Sequence, residues 1–446
     1  MSEPATAPPP TVAGEPPAEP PTGPTAGSRA AAALAAHRQR VRRARRIYGA
    51  VVATVVAVAL VGVVVAWNKG EISHASLHTV ERAPAAIPLA QPAANPAPAW
   101  HVSDRLAIGS PQYGGTVITW SAHTVGGRDA RTGKPTWSYT RTDRTTCTAA
   151  QTTGTTIVVF RLHGNCDEVA GFDSGTGRRL WARTLDKDQR PLDGPVTYQV
   201  QPFAFLLTGR TTIYALNPTS GWGGWTYYRY GCTINRAVLG SAGALISQTC
   251  GGAVRCSGVK FCARGPQLLL RDGSAGNGDN GDNRDQIKWL QRGDDQAPVA
   301  ADLVIASLSR DGRTLAVLAA KDGAVQRSVD LGATSRAVPV AVGLLNGELL
   351  WRDGTAAAID TSTSTKPAWT ATSSGPPTAV GSGGGAPTTL GSSRITAVAG
   401  GAVVTLGGTD GREQGRIPLG LAPGASAYRL GGGFLVDAPS GVTLYR

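Results

Sequence analysis

Six cysteines, six histidines, one acidic loop and one aromatic cluster are the residues of this chain equipped for chemistry. The histidines are scattered without an evident acid or nucleophile partner, and no Gly-x-Ser-x-Gly elbow occurs. Gly127 to Gly133-Lys134 echoes a phosphate loop, but the spacing is one residue too long. Pro135 also stands where Ser or Thr should bind magnesium. Asp279, Asp282 and Asp285 carry oxygens suited to calcium, yet they miss the EF-hand order, so a solvated, turn-rich loop over 273–284 is expected. His74 and His78 could share a helix face, but no third ligand is near. No catalytic residue, metal ligand or cofactor-binding residue is therefore assigned.

The cysteines are Cys147, Cys166, Cys232, Cys250, Cys256 and Cys262. An even number lying after an apolar segment predicts disulfides, and the spacings lack the Cys-x-x-Cys pairs of structural zinc. The cluster Trp222, Trp225, Tyr227, Tyr228, Tyr230 is the most unusual local composition. Stacked aromatics hold sugars or aromatic side chains, and amphipathic rings are enriched at interfaces. The favoured expectation is packing, with Trp225 between blades and the others straddling an outer strand at the core or rim; the alternative is that Trp222, Tyr227, Tyr228 and Tyr230 form a binding surface.

The elements that position these residues are set by one repeating stretch. Asp129-Ala-Arg-Thr-Gly-Lys-Pro-Thr-Trp137 returns as Asp173-Ser-Gly-Thr-Gly-Arg-Arg-Leu-Trp181 and as Asn217-Pro-Thr-Ser-Gly-Trp-Gly-Gly-Trp225, each 44 residues on. Asp or Asn caps a tight turn, and Gly133, Gly177 and Gly221 supply the positive φ that closes it. The residues before each turn alternate like a strand, and a return strand delivers the Trp to one face. A period in the forties with one turn and one Trp per copy is the signature of propeller blades. The pattern resembles the repeat of the PQQ-like (quinoprotein alcohol dehydrogenase-like) β-propellers of membrane-anchored bacterial type. That resemblance implies Ala-x-Asp-x-x-Thr-Gly-x-x-x-Trp blades whose Trp docks between neighbours. No adjacent Cys-Cys pair of the quinone enzymes is present, so no cofactor residue is carried over.

The repeat also orders the cysteines. Cys147 and Cys166 flank one strand hairpin and Cys232 and Cys250 another, as if one staple were used twice, which leaves Cys256 with Cys262. Walking the chain at this period gives an all-β propeller of four-stranded blades over residues 100–446, with eight blades favoured and seven the alternative. The last blade is one strand short, and Trp100-His-Val could supply it and close the ring. Late blades lose the Thr-Gly and the Trp, and Ser373–Pro387 reads as a flexible loop.

Residues 1–28 are Pro/Ala-rich and cannot bury a core, so a disordered cytoplasmic tail is expected. Residues 29–46 form a basic juxtamembrane helix with seven arginines and no acid. Residues 47–67 are uncharged, bordered by Tyr48 and Trp67, and long enough to span a bilayer as one helix. The arginines hold that side in the cytoplasm. They account for much of the net charge of +13 better than nucleic acid does. Residues 68–99 read as a Pro/Ala-rich stalk. The expectation is a single-pass, N-in membrane protein displaying a propeller outside the cytoplasm. It would be a non-catalytic binding or scaffold module of the bacterial cell envelope, with a protein partner or an envelope glycan. A sensor of a glycan or small ligand is the alternative, and a PQQ-dependent enzyme a further one.

Overall fold

The structure, a computed structural model, describes residues 37, 39–40, 43, 48–58, 71–88, 90–109, 112–152, 154–162, 164–185, 192–222, 224–229, 231–251, 264–273, 286–293, 296–302, 305–332, 335, 337, 340–344, 347–360, 365–380 and 394–446. The chain divides between Ser73 and His74 into two compact units. In the first, residues 48–58 are helical and exposed. No helix among the described residues is long and apolar enough to cross a membrane. The rest of 47–67, the tail 1–28 and most of 29–46 lie outside the described residues.

The second unit is all-β and consists of eight sheets arranged as consecutive blades. Blade 2 shows the plan: Thr145–Thr152, Thr155–Leu162, Asn165–Asp173 and Arg179–Thr184 pair in chain order. Blades 3 to 7 run from Thr197–Gln201 to Trp225–Tyr228, Cys232–Gly240 to Ile287–Arg292, Ala297–Ala301 to Val325–Asp330, Val340–Leu344 to Trp369–Thr372, and Thr378–Val380 to Glu413–Pro418. Middle strands such as Ala204–Thr208 and Thr212–Leu216 are buried at every position, because each sheet is sandwiched between two others. That is why their sequences are continuously apolar rather than alternating. The core is divided accordingly. Ile157 and Val159 of blade 2, for example, pack on Phe205, Leu207 and Tyr214 of blade 3.

First strands of blades 2 to 6 touch in succession, as do those of blades 7 and 8, so they form the inner wall. Polar side chains clip these strands together. Thr152 Oγ1 donates to Gln201 O (3.1 Å), Gln199 Nε2 to Leu239 O (3.0 Å), Arg236 Nε to Pro298 O (2.9 Å) and Thr378 Oγ1 to Ala427 O (2.8 Å). Each bond satisfies a backbone group that faces a neighbouring blade instead of a strand.

Ring closure follows the expected route. Blade 8 contains Ser426–Leu430, Gly433–Ala438 and Gly441–Tyr445, and its outer strand is Pro98–Val102. Trp100 stands opposite Leu444 and Val102 opposite Val442. Ala97 and Arg446 exchange backbone hydrogen bonds of 3.1 and 3.0 Å.

Three details differ from the sequence reading. From residue 74 the expected stalk belongs to the propeller unit. Ala75–His78 adds a strand outside blade 1, opposite Pro135–Arg141. The chain then crosses the turns of blades 2, 1 and 8 as a strap: Val80 N donates to Thr176 O, Gly115 N to Pro84 O, and Ala90 N to Gly431 O. Gly115 is required here, since a Cβ would lie 2.2 Å from Ala85 O. Second, the first strand of blade 1 is split between Arg105–Leu106 and Gln112–Tyr113, and Ile108–Gly109 between them crosses over to run parallel to the first strand of blade 2. Third, the loop expected over 373–387 contains the first strand of blade 7, while 381–393 lies outside the described residues.

Candidate functional site

The repeat motif builds a turn and a dock. Asp129 Oδ1 accepts from the backbone N of Arg131 and Thr132 and from Thr132 Oγ1 (3.0, 2.9 and 2.9 Å). Asp173 does the same with Gly175 and Thr176, and Asn217 with Thr219 and Ser220. Gly133, Gly177 and Gly221 close the turns at φ of 70°, 76° and 69°. Blades 5 and 7 reach the same shape by moving the acid beside the glycine. There Asp322 and Asp410 accept from Ala324 N and Arg412 N, with Gly323 and Gly411 at φ of 76° and 63°.

Each turn receives a tryptophan from the outer strand of the preceding blade. Trp137 Nε1 donates to Ser174 O (2.9 Å), Trp181 Nε1 to Pro218 O (2.8 Å) and Trp225 Nε1 to Gly273 O (3.2 Å). The rings of Trp137 and Trp181 lie on Gly177 and Gly221. A Cβ at Gly177 would stand 2.6 Å from Trp137 Cβ. Three further docks exceed the sequence reading, which had the late blades losing the Trp. Trp100 donates to Ala130 O (3.2 Å), Trp289 to Ala320 O (3.1 Å) and Trp369 to Gly408 O (2.7 Å). A signal was present: Pro-x-Trp occurs at 98–100, 135–137 and 367–369.

Arg327 and Gly415 occupy the dock position in blades 5 and 7, opposite Val317 and Thr405. The receiving side explains Gly415: in blade 8 the third and outer strands are Gly441–Tyr445 and Pro98–Val102, so no turn joins them.

Two disulfides form as paired in the sequence, Cys147–Cys166 and Cys232–Cys250. They are not one staple used twice. Cys232 and Cys250 face each other on adjacent strands, whereas Cys147–Cys166 joins the first and third strands of blade 2, with Cys147 at the register shift opposite Val159 and Phe160 of the second. Both sit at the blade ends away from the Asp–Gly turns. Cys256, Cys262 and the acidic loop 274–285 lie outside the described residues. Replacing Cys147 and Cys166 by serine should lower the unfolding free energy by about 3 kcal/mol. Denaturant midpoints check this, and an unshifted midpoint would show that the staple restrains little in the unfolded chain.

Beside that staple, Arg141 is 2% exposed. It is paired with Asp143 (2.8 Å) and Glu168, and Arg144 bridges the same two acids. Burial works against the Arg141 charge, but Asp143, Tyr139 and Glu168 more than offset it and hold the guanidinium ionised. The hydrogen bond from Arg141 in turn keeps the Asp143 carboxyl below the usual carboxylate range. Removing both acids would strand a buried charge.

Strand alternation splits the aromatic cluster. Trp225 and Tyr227 point inward, 5% and 2% exposed, and Tyr228 is half-buried. Tyr227 Oη donates to Gln248 Oε1 (2.8 Å) and Gln248 Nε2 to Gln267 Oε1 (2.9 Å), a buried relay between blades 3 and 4. Trp225 stacks under Arg271, whose guanidinium carbon lies 4.0 Å from the ring centroid. Burial lowers the Arg271 pKa to about 10. Tyr230 lies outside the described residues. Trp222 alone of the described cluster faces solvent, 60% exposed, with Arg183 at 4.7 Å over its ring and Leu180 exposed on the same outer strand as Arg183. Among the described residues, no three His, Cys, Asp or Glu side chains stand where they could hold a metal ion.

No protein family model and no curated protein sequence matches the chain. Solved structures do. The computationally designed Ika8 protein aligns over 78% of this chain and 98% of its own, at 11% identity and a TM-score of 0.51. BamB from Moraxella catarrhalis covers 84% and 99%, at 18% identity and a TM-score of 0.38. A europium-containing methanol dehydrogenase covers 76% and 84%, at 12% identity and a TM-score of 0.45. These likenesses concern the ring alone, and the second unit of the chain is an eight-bladed β-propeller.

Proposed function

We propose that the chain is a membrane-anchored, extracytoplasmic propeller that binds a protein partner of the cell envelope without catalysis. The observation that carries this reading is the Trp222–Arg183 pair. Six other tryptophans are latched between blades, whereas Trp222 is 60% exposed and holds no such dock. Trp and Arg are the residue types that dominate binding hot spots, and a pre-positioned ring loses little entropy on contact. Two disulfides support an oxidising compartment. The uncharged run 47–67, with its arginine cluster on one side, supports an N-in anchor.

A glycan or small-ligand sensor is the second reading, favoured by the same exposed indole, since an open ring face also stacks on sugars. One experiment separates them. Full-length protein from gently solubilised membranes is used as bait beside Trp222→Ala and Arg183→Ala. A specific envelope protein retained by wild type and weakened at least about tenfold by each variant, equivalent to about 1.4 kcal/mol, supports the scaffold reading. Co-purified carbohydrate that depends on Trp222 supports the sensor. Retention equal in all three proteins rejects this surface.

A further inference from the structure

We propose that the seam between blades 5 and 6 is held closed by a proton on Glu348, which makes it a pH-sensitive joint in the ring. Glu348 lies in the second strand of blade 6, Gly347–Arg352. Leu350, two residues on and therefore on the same strand face, packs into the blade 5 core. Glu348 is 1% exposed, and its Oε2 has no hydrogen-bond partner among the described residues. Its cross-strand neighbours, Gly343 and Ile359, bring no charge.

The charged group it meets is an acid. Asp302 follows the first strand of blade 5, and its Oδ1 accepts from Ser241 N of blade 4 (2.9 Å). Blades 4 and 5 are pressed together there: a Cβ on Gly240 would lie 2.2 Å from the Ala301 carbonyl carbon. Asp302 is thus fixed by its neighbours, and its charge opposes ionisation of Glu348, which is itself shielded from water. Ionised carboxylates in such places are costly, and the group protonates instead. Burial first, then Asp302, raises the Glu348 pKa from 4.5 to about 8. This is also one of the two joints without a docked tryptophan, because Arg327 stands at that position. The carboxyl therefore sits where the outer latch is missing.

The direction of the effect follows from linkage. In the unfolded chain Glu348 ionises near 4.5, and in the ring only near 8. The stability it permits is complete below the lower value and is lost as pH rises through the upper one. The ring is consequently tightest in mild acid and loosest at slightly alkaline pH, with the change localised at one joint.

The test uses full-length protein in detergent, wild type and Glu348→Gln, melted between pH 4.5 and 8.5. Amide exchange is followed over 305–308 and 347–360 and corrected for intrinsic rates. Wild type should lose melting temperature steadily across this range, and Glu348→Gln should lose markedly less. Faster exchange at pH 8 should be confined to the two segments in wild type and absent from the variant. Parallel melting profiles for the two proteins would overturn the proposal. Should Glu348→Gln fail to fold, Asp302→Asn keeps the Ser241 hydrogen bond while removing the facing charge. Its melting decline should be smaller and should end at lower pH; a decline identical to wild type would equally overturn the proposal.

Discussion

Replacing Trp137 by alanine should lower the unfolding free energy by about 3–5 kcal/mol, the range for removing a buried aromatic from a packed site. The ring is 1% exposed and lies 6.0 Å from the Phe172 ring. It contacts Gly177, where the positive φ and the 2.6 Å approach allow no side chain to expand into the gap. The substitution also leaves the Ser174 carbonyl without its donor, and an unsatisfied buried acceptor adds about 1–3 kcal/mol to the cavity cost unless the site relaxes. Urea midpoints at constant slope measure the change. A loss below about 0.5 kcal/mol, as expected for a surface position such as Trp222, would show that the docks do not hold the blades together.

Truncating the chain after Ser440 should abolish cooperative unfolding altogether. The six residues removed include Gly441–Tyr445, the strand between Gly433–Ala438 and Pro98–Val102. Val442 and Leu444, 0% and 2% exposed, go with it, and they pack on Leu106, Val117 and Ala130 of blade 1. Pro98–Val102 then has no partner, Trp100 cannot be aimed at Ala130, and two strand edges open to solvent, which invites association. Calorimetry and size-exclusion chromatography test this. A sharp transition from a monomer of unchanged stability would mean that the ring closes by some other contact.

The blades were legible because their chemistry is local. An Asp or Asn that caps its own turn and a glycine at positive φ are visible within nine residues, and the 44-residue return makes chance an implausible source. The closing strand was legible for a similar reason, since an incomplete blade must find its missing strand elsewhere. What could not be read depends on partners distant in sequence. Ala75–His78 pairs with Ser138–Arg141, and nothing in its Pro/Ala-rich surroundings announces that edge. Trp289 and Trp369 dock although their receiving turns carry Asp-Gly instead of Thr-Gly, because the turn shape matters and the Thr does not. The aromatic cluster was legible as packing but not residue by residue. A strand sends alternate side chains to opposite faces, so Tyr227 goes inside with Trp225 while Tyr228 stays half-buried. Glu348 was silent in sequence, because its consequence arises only where blade 6 meets Asp302.

Closing the ring with strands from both ends of the chain has a consequence for biosynthesis. Most latches can set early, since Trp137 waits only 37 residues for its carbonyl. His101 and its strand partner Thr443, by contrast, are 342 residues apart, an interval of about 20–70 s at roughly 5–20 residues per second. Throughout that time Pro98–Val102 stands as an unpaired edge while seven blades accumulate behind it, and the circle is completed only when Gly441–Tyr445 emerges. A nascent chain of this kind needs Pro98–Val102 shielded from other edges until Gly441–Tyr445 is made, a task for which a holding chaperone or the crowded rim of the newly formed blade 1 is suited.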